Sequence, residues 1–271
     1  MMDRPTISSS DIPLARDLFD KAVSKMDSDI EESKKLLREA IEMDCTSSMV
    51  LLGDILIDGN DSDKQEALAL FKRAYENGDN MGSRNLGYCY AIGLGVPTDK
   101  AKASEWYIIS AKSGNAKAQC NIGVLYEYGH GVEKDYSKAA EWFRRSAENG
   151  YHRGRTNYAC LLRDGKGVER DPDMAAYWFE KSGSPRAKRL LAQMYISGDG
   201  IGKDLAKARE LLESASERDR KAMFILGDMI CEEDRDRAIS LFRRSAEKGF
   251  DDAINRLTEL GLEAPPKKIR F

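Results

Sequence analysis

The segment GHGVEKD, residues 129–135, has a composition open to a phosphate-cradling loop: two glycines one residue apart, a valine and an aspartate. A phosphate loop needs backbone N–H groups freed by glycine, and it follows a strand and opens a helix. The same residues also make a tight corner between two helices. Other chemistry is thinly supplied. Two histidines, His130 and His152, poorly support an ordinary zinc site or a catalytic triad. The five cysteines, Cys45, Cys89, Cys120, Cys160 and Cys231, form no C-x-x-C pair. They read as reduced, helix-buried thiols of a cytoplasmic protein, with a redox switch or metal site as the weaker alternative. No cofactor and no metal is expected.

The loop recurs. GLGVPTD (93–99), GKGVERD (165–171) and GDGIGKD (198–204) follow the same pattern, and the first glycines 93, 129 and 165 stand 36 residues apart. A single phosphate loop does not repeat at a fixed period, whereas a solenoid of helical hairpins does. In that setting the first glycine ends a helix in the left-handed conformation. Asp99, Asp135, Asp171 and Asp204 then cap the next helix. The helix–turn–helix corner therefore displaces the phosphate reading.

The elements on either side share the period. Six positions, Gly53, Gly87, Gly123, Ala159, Ala192 and Gly227, are always small, and so are those five residues earlier: Ser48, Gly82, Ala118, Gly154, Ala187 and Ala222. Apolar residues precede and follow at helical spacing, which predicts a first helix whose small stripe lets neighbouring backbones come close. A second amphipathic helix follows each loop. Trp106, Trp142 and Trp178 share one register there, each with an aromatic neighbour, and are expected to pin adjacent repeats together.

The pattern small-x3-Leu-Gly-x-Leu-Tyr-x2-Gly-x-Gly-Val-x2-Asp, then Lys-Ala-x2-Trp-Phe, resembles Sel-1-like repeats, relatives of tetratricopeptide repeats. AQCNIGVLYEYGHGVEKDYSKAAEWFRRSAENG (118–150) is its fullest copy. The resemblance implies an all-α, right-handed α-solenoid of stacked helix-turn-helix repeats that binds other proteins. Its expected parts begin with a disordered N-terminus (1–13) and a capping helix pair (14–46). Six repeats follow over 47–249: 47–81, 82–117, 118–153, 154–186, 187–221 and 222–249. A capping helix (250–262) and a tail (263–271) complete the chain. The glycine-free sixth repeat is where self-association through an imperfect end would arise.

Comparing the six first helices locates the candidate binding face. Counted from the small anchor, positions −5, −1, +2 and +3 stay small or apolar, while −3, +1, +4 and +5 vary. At about 100° per residue the two sets lie on opposite sides of the helix. In the related tetratricopeptide family, the matching face lines the concave groove. Here the varied set gives Arg84, Tyr88, Ile92, Cys120, Val124, Glu127, Tyr128, Thr156, Arg163, Arg189 and Gln193 as candidate partner-binding residues. Aromatics and arginine are hot-spot types, so this face suits a peptide or helix with apolar anchors and some acidic residues. Asn85, Asn121 and Asn157 form a column at its border. They either clamp the backbone of an extended peptide or hydrogen-bond within the solenoid.

Bulk properties narrow the classes further. The formal net charge of −3 over 271 residues offers no basic field for nucleic acid. This weighs against RNA recognition by helical repeats, the alternative to a non-enzymatic scaffold or adaptor. No apolar run is long enough to span a membrane. A hydrolase-like enzyme is the least supported reading, since no catalytic constellation stands out.

Overall fold

The computed structural model describes residues 11–266, and over these the chain forms fifteen helices and no strand. They are α1 (Asp11–Lys25), α2 (Ile30–Glu42), α3 (Thr46–Leu56), α4 (Asp61–Glu76), α5 (Asn80–Ile92), α6 (Lys100–Lys112), α7 (Ala116–Tyr128) and α8 (Tyr136–Glu148). There follow α9 (His152–Asp164), α10 (Pro172–Ser182), α11 (Pro185–Ser197), α12 (Leu205–Ala215), α13 (Arg220–Ile230), α14 (Arg235–Glu247) and α15 (Asp251–Glu259). The pairs from α3/α4 to α13/α14 are six hairpins, preceded by α1 and α2 and followed by α15. The expectation of disorder over 1–13 is corrected at its end. Residues 11–13 already belong to α1, whose first turn tolerates Pro13 because N–H groups there lack helical partners. Residues 1–10 and 267–271, including the end of the expected tail, lie outside the described residues.

Two compact units make up the chain, Met1–Trp142 and Phe143–Phe271, divided within α8. In the first, each helix from α1 to α7 packs on the next; in the second, α9 to α15 do the same.

The recurring loop is a packing element. At the end of α7, Gly129 takes φ 71°, and His130 N–H donates to the Leu125 carbonyl at 3.0 Å. The chain then reverses, and Asp135 accepts from the Lys138 N–H at 3.0 Å, capping α8. That hydrogen bond is the main reason the Asp135 carboxyl lies below its ordinary value of 3.8. Gly131 has a separate duty. Its φ is 76°, and a Cβ there would run into the backbone of Lys100 in the first turn of α6, part of the preceding repeat. The loop thus seats one hairpin on another. Asp99, Asp171 and Asp204 repeat the cap on α6, α10 and α12, and Pro172 opens α10 at a position where no N–H is needed.

Inside the hairpins, aromatic rings stand on small residues. The Phe71 ring lies against Gly53, Tyr107 approaches the Cβ position of Gly87 to 2.6 Å, and Phe242 that of Gly227 to 2.6 Å. Phe71, Tyr107, Phe143, Phe179, Leu212 and Phe242 are all buried. They sit one residue after the tryptophan register and fill the hairpin cores, while Trp106 packs, as expected, against the core of the preceding repeat. Trp106 and Trp178 are half-buried. Trp106 does meet the preceding repeat, edge-on to Tyr75 at 5.2 Å, but its neighbour Tyr107 fills the core.

The two glycine duties are separable. Gly114 has φ 87° and open space at its Cβ position, so Gly114→Ala is expected to cost about 1 kcal/mol from backbone strain. Gly131→Ala adds a backbone collision and is expected to cost about 3 kcal/mol or more. Urea unfolding of both variants measures the gap; equal costs would mean that the loop does not seat against α6.

Candidate partner-binding face

In the first unit the candidate face is carried by α3, α5 and α7. Tyr88 and Ile92, four residues apart on α5, are 42% and 50% exposed, and Tyr128 at the end of α7 is 61% exposed. Tyr128 stacks on His130 with ring centroids 5.8 Å apart. Val124 and Glu127 are half-buried beside it. Helical spacing puts Arg84 and Tyr88 on one side of α5. Arg84 is half-buried, and its Nε is enclosed without a hydrogen-bond partner.

Beneath this face lies a polar cluster. Asp54 of α3 accepts from Asn85 Nδ2 at 2.8 Å. Although Asp54 keeps solvent contact, desolvation raises its pKa above 3.8; the Arg84 charge and the Asn85 hydrogen bond oppose the rise. The Tyr107 hydroxyl comes up from α6 to within hydrogen-bonding reach of Asn121. Burial pushes this hydroxyl above its ordinary value of 10, and the Arg84 charge again opposes the shift. Cys89 is fully buried, and its thiol is pushed up to about 12, first by burial and then by the Asp54 charge. At pH 8.5 its thiolate is then roughly one part in three thousand.

In the second unit the corresponding residues are largely satisfied internally. Arg189 donates from Nε to Asp219 at 3.1 Å and from Nη1 to Gln193 at 3.1 Å. Arg163 donates to Asp164 at 2.7 Å. Desolvation works against the Arg163 charge, but the Asp164 carboxylate outweighs it and the net shift is upward.

Two candidates do not reach the face. Cys120 is 1% exposed and Thr156 2%. For Thr156 the partners are at the far end of its own repeat, where its Oγ1 meets Ser182 at 2.8 Å and Ser184 at 3.3 Å. Arg189 occupies the same register position. The asparagine column also belongs to the solenoid's own bonding. Asn85 is buried on Asp54, Asn121 serves Tyr107, and Asn157 accepts from Arg186 Nη1 at 3.0 Å. A backbone-clamp role for Asn85 is excluded by that burial. Sequence comparison passed over Tyr107, although it is the one hydroxyl-bearing residue in a register otherwise filled by Phe and Leu.

Among the described residues, no cluster of three or more His, Cys, Asp or Glu could hold a metal ion. No helix among the described residues is long and apolar enough to cross a membrane. Sel1 repeats match residues 46–79, 81–115, 116–151, 153–184, 185–219 and 222–250.

The chain belongs to the Sel1 repeat family.

Solved structures agree with this assignment. A protective antigen from uropathogenic Escherichia coli, displaying an SLR fold, is 27% identical with a TM-score of 0.75. The alignment covers 93% of this chain and 58% of the antigen, so the chain spans little more than half of that protein. A Sel1 repeat protein from Oxalobacter formigenes is 28% identical with a TM-score of 0.70, over 80% of this chain and 92% of its own. An immunity protein from Pseudomonas aeruginosa shares the fold at 17% identity and a TM-score of 0.52, over 76% of this chain and 82% of its own. No curated protein matches the sequence. The fold is thus an all-α solenoid of Sel1 repeats, a family whose members are in general protein-interaction scaffolds.

The two seam arginines are expected to behave differently. Arg189→Met leaves Asp219 without its partner in a largely buried setting, and should cost about 3 kcal/mol. Arg84→Met removes an enclosed Nε that has no hydrogen-bond partner and should be neutral or stabilising. Thermal unfolding compares them. Separately, Cys89 is expected to resist alkylation at pH 8.5 until the chain unfolds, as read by mass spectrometry of the modified peptides.

Proposed function

We propose that this Sel1 repeat protein is a non-enzymatic scaffold, working in the cytoplasm, that holds a peptide or helix of a partner protein on the α5 and α7 face of its first unit. The observation that carries the reading is the exposure of Tyr88, Ile92 and Tyr128 on helices whose opposite sides are fully buried. Exposed aromatics next to half-buried Val124 and Arg84 make up the residue mixture found at interface hot spots. The general role of the family supports it, and the five free thiols support a reducing compartment.

The test is affinity capture with two baits, wild type and a Tyr88→Ala/Val124→Asp/Tyr128→Ala variant of unchanged helicity. A partner retained by wild type and lost by the variant is the expected result. Equal capture by both would move the binding site away from this face.

A further inference from the structure

Three arginines lie at the first-helix faces, and their surroundings differ. Arg163 is held by Asp164, and Arg189 by Asp219 and Gln193. Arg84 makes no hydrogen bond and no ion pair among the described residues, although its Nε is enclosed. Arg84 and Arg189 occupy the same register position in their repeats. The reason for the difference lies at the cap of the next first helix. Asp219 caps α13 through Oδ1, which accepts from the Lys221 and Ala222 N–H groups, leaving Oδ2 for Arg189. The matching cap of α7 is Asn115. It accepts from the Ala118 N–H at 3.0 Å, and its amide nitrogen lies 3.1 Å from Met81 Sδ. A neutral amide therefore stands where the second unit has an acid, and Arg84 keeps a half-buried charge with no contact ion pair among the described residues, the Asp54 carboxylate acting on it only at a distance.

We propose that Arg84 receives the side-chain carboxylate of an acidic residue within the partner segment, whose adjacent apolar residue rests on Tyr88 and Val124. The proposal depends on the α5 and α7 face being the docking surface. Charge complementarity defines the occupant. Asp54 lies in the field of two cations, Arg84 first and Lys117 after it. Asp54 is already engaged by Asn85. Around Asp54 the balance is thus two positive charges to one negative. A planar carboxylate fits a guanidinium through two parallel hydrogen bonds. A dianionic phosphate would meet stronger repulsion from Asp54. The Tyr107 hydroxyl, placed by Asn121 and close enough to feel both Arg84 and Tyr88, provides a polar floor beside the guanidinium.

The experiment pans a library of random short peptides against the full chain. The peptides are fused to their carrier through the C-terminus, so only side chains supply carboxylate. Recovered peptides are then titrated against wild type, Arg84→Gln, Asn115→Asp and Val124→Asp, each checked for native helicity. The expected peptides carry Asp or Glu next to an aromatic or aliphatic residue. Arg84→Gln should weaken them about tenfold. Exchanging the peptide's acid for its amide should cause a similar loss in wild type and little further loss in Arg84→Gln. Asn115→Asp should supply the missing acid internally, weakening binding and raising the thermal midpoint together. Peptides without an acid, or an acid that matters equally in Arg84→Gln, would overturn the proposal. If Val124→Asp abolishes binding while Arg84→Gln does not change it, the docking face stands and the carboxylate assignment falls. Binding indifferent to both variants, or recovery of no peptide, would overturn both.

Discussion

In the first, second and sixth hairpins, the side chain that fills the core lies on a residue with no Cβ to hold it off. Phe71 lies on Gly53, Tyr107 on Gly87 and Phe242 on Gly227. Burying such a ring contributes on the order of 2–3 kcal/mol, and it also fixes the rotation of each first helix about its own axis. Once the glycine side faces the ring, the residues at +1 and +5 face outward. The exposure of Tyr88, Ile92 and Tyr128 follows from that rotation. In the second hairpin the ring is a tyrosine, and its polar tip must find a partner when buried. Asn121 stands near that tip, and Arg84 and Tyr88 are close enough to act on its charge.

The seam between successive repeats is solved differently each time. One register position holds Thr156 against Ser182 and Ser184, Arg189 against Asp219, and Phe224 edge-on to Phe250 at 5.3 Å. Polar meets polar, charge meets countercharge, and ring meets ring. Arg84 departs from this matching because Asn115 is neutral. The repeat family supplies the scaffold, but the electrostatic individuality of the chain arises where one such match has been left incomplete.

The loops have the same dual character. Their glycines and aspartates end one helix and begin the next, which is local chemistry. Gly131 and Gly95 also lie against the preceding repeat; a Cβ on Gly95 would come within 2.7 Å of the Lys64 carbonyl oxygen. The motif that resembled a phosphate cradle is a joint, and its backbone is already engaged with protein.

The left-handed glycines and the aspartate caps were legible in the sequence, because each depends on residues within one or two turns of one another, and the repeat period was legible as self-similarity. The small stripe was legible as well, since six copies of one helix serve as their own comparison. What sequence variation could not separate was exposure from pairwise matching. Cys120 and Thr156 vary between repeats as freely as Tyr88 does, yet both are buried, because a seam position varies together with whatever it touches. Deciding which arginine is satisfied required knowing that Asp219 reaches back 30 residues to Arg189, and that Asn115 offers Arg84 no such charge. Local spacing determined the fold and the side of each helix that faces the core. Only the tertiary structure decided which of the remaining polar groups are already paired, because those partners stand some thirty residues away, at the cap of the next first helix.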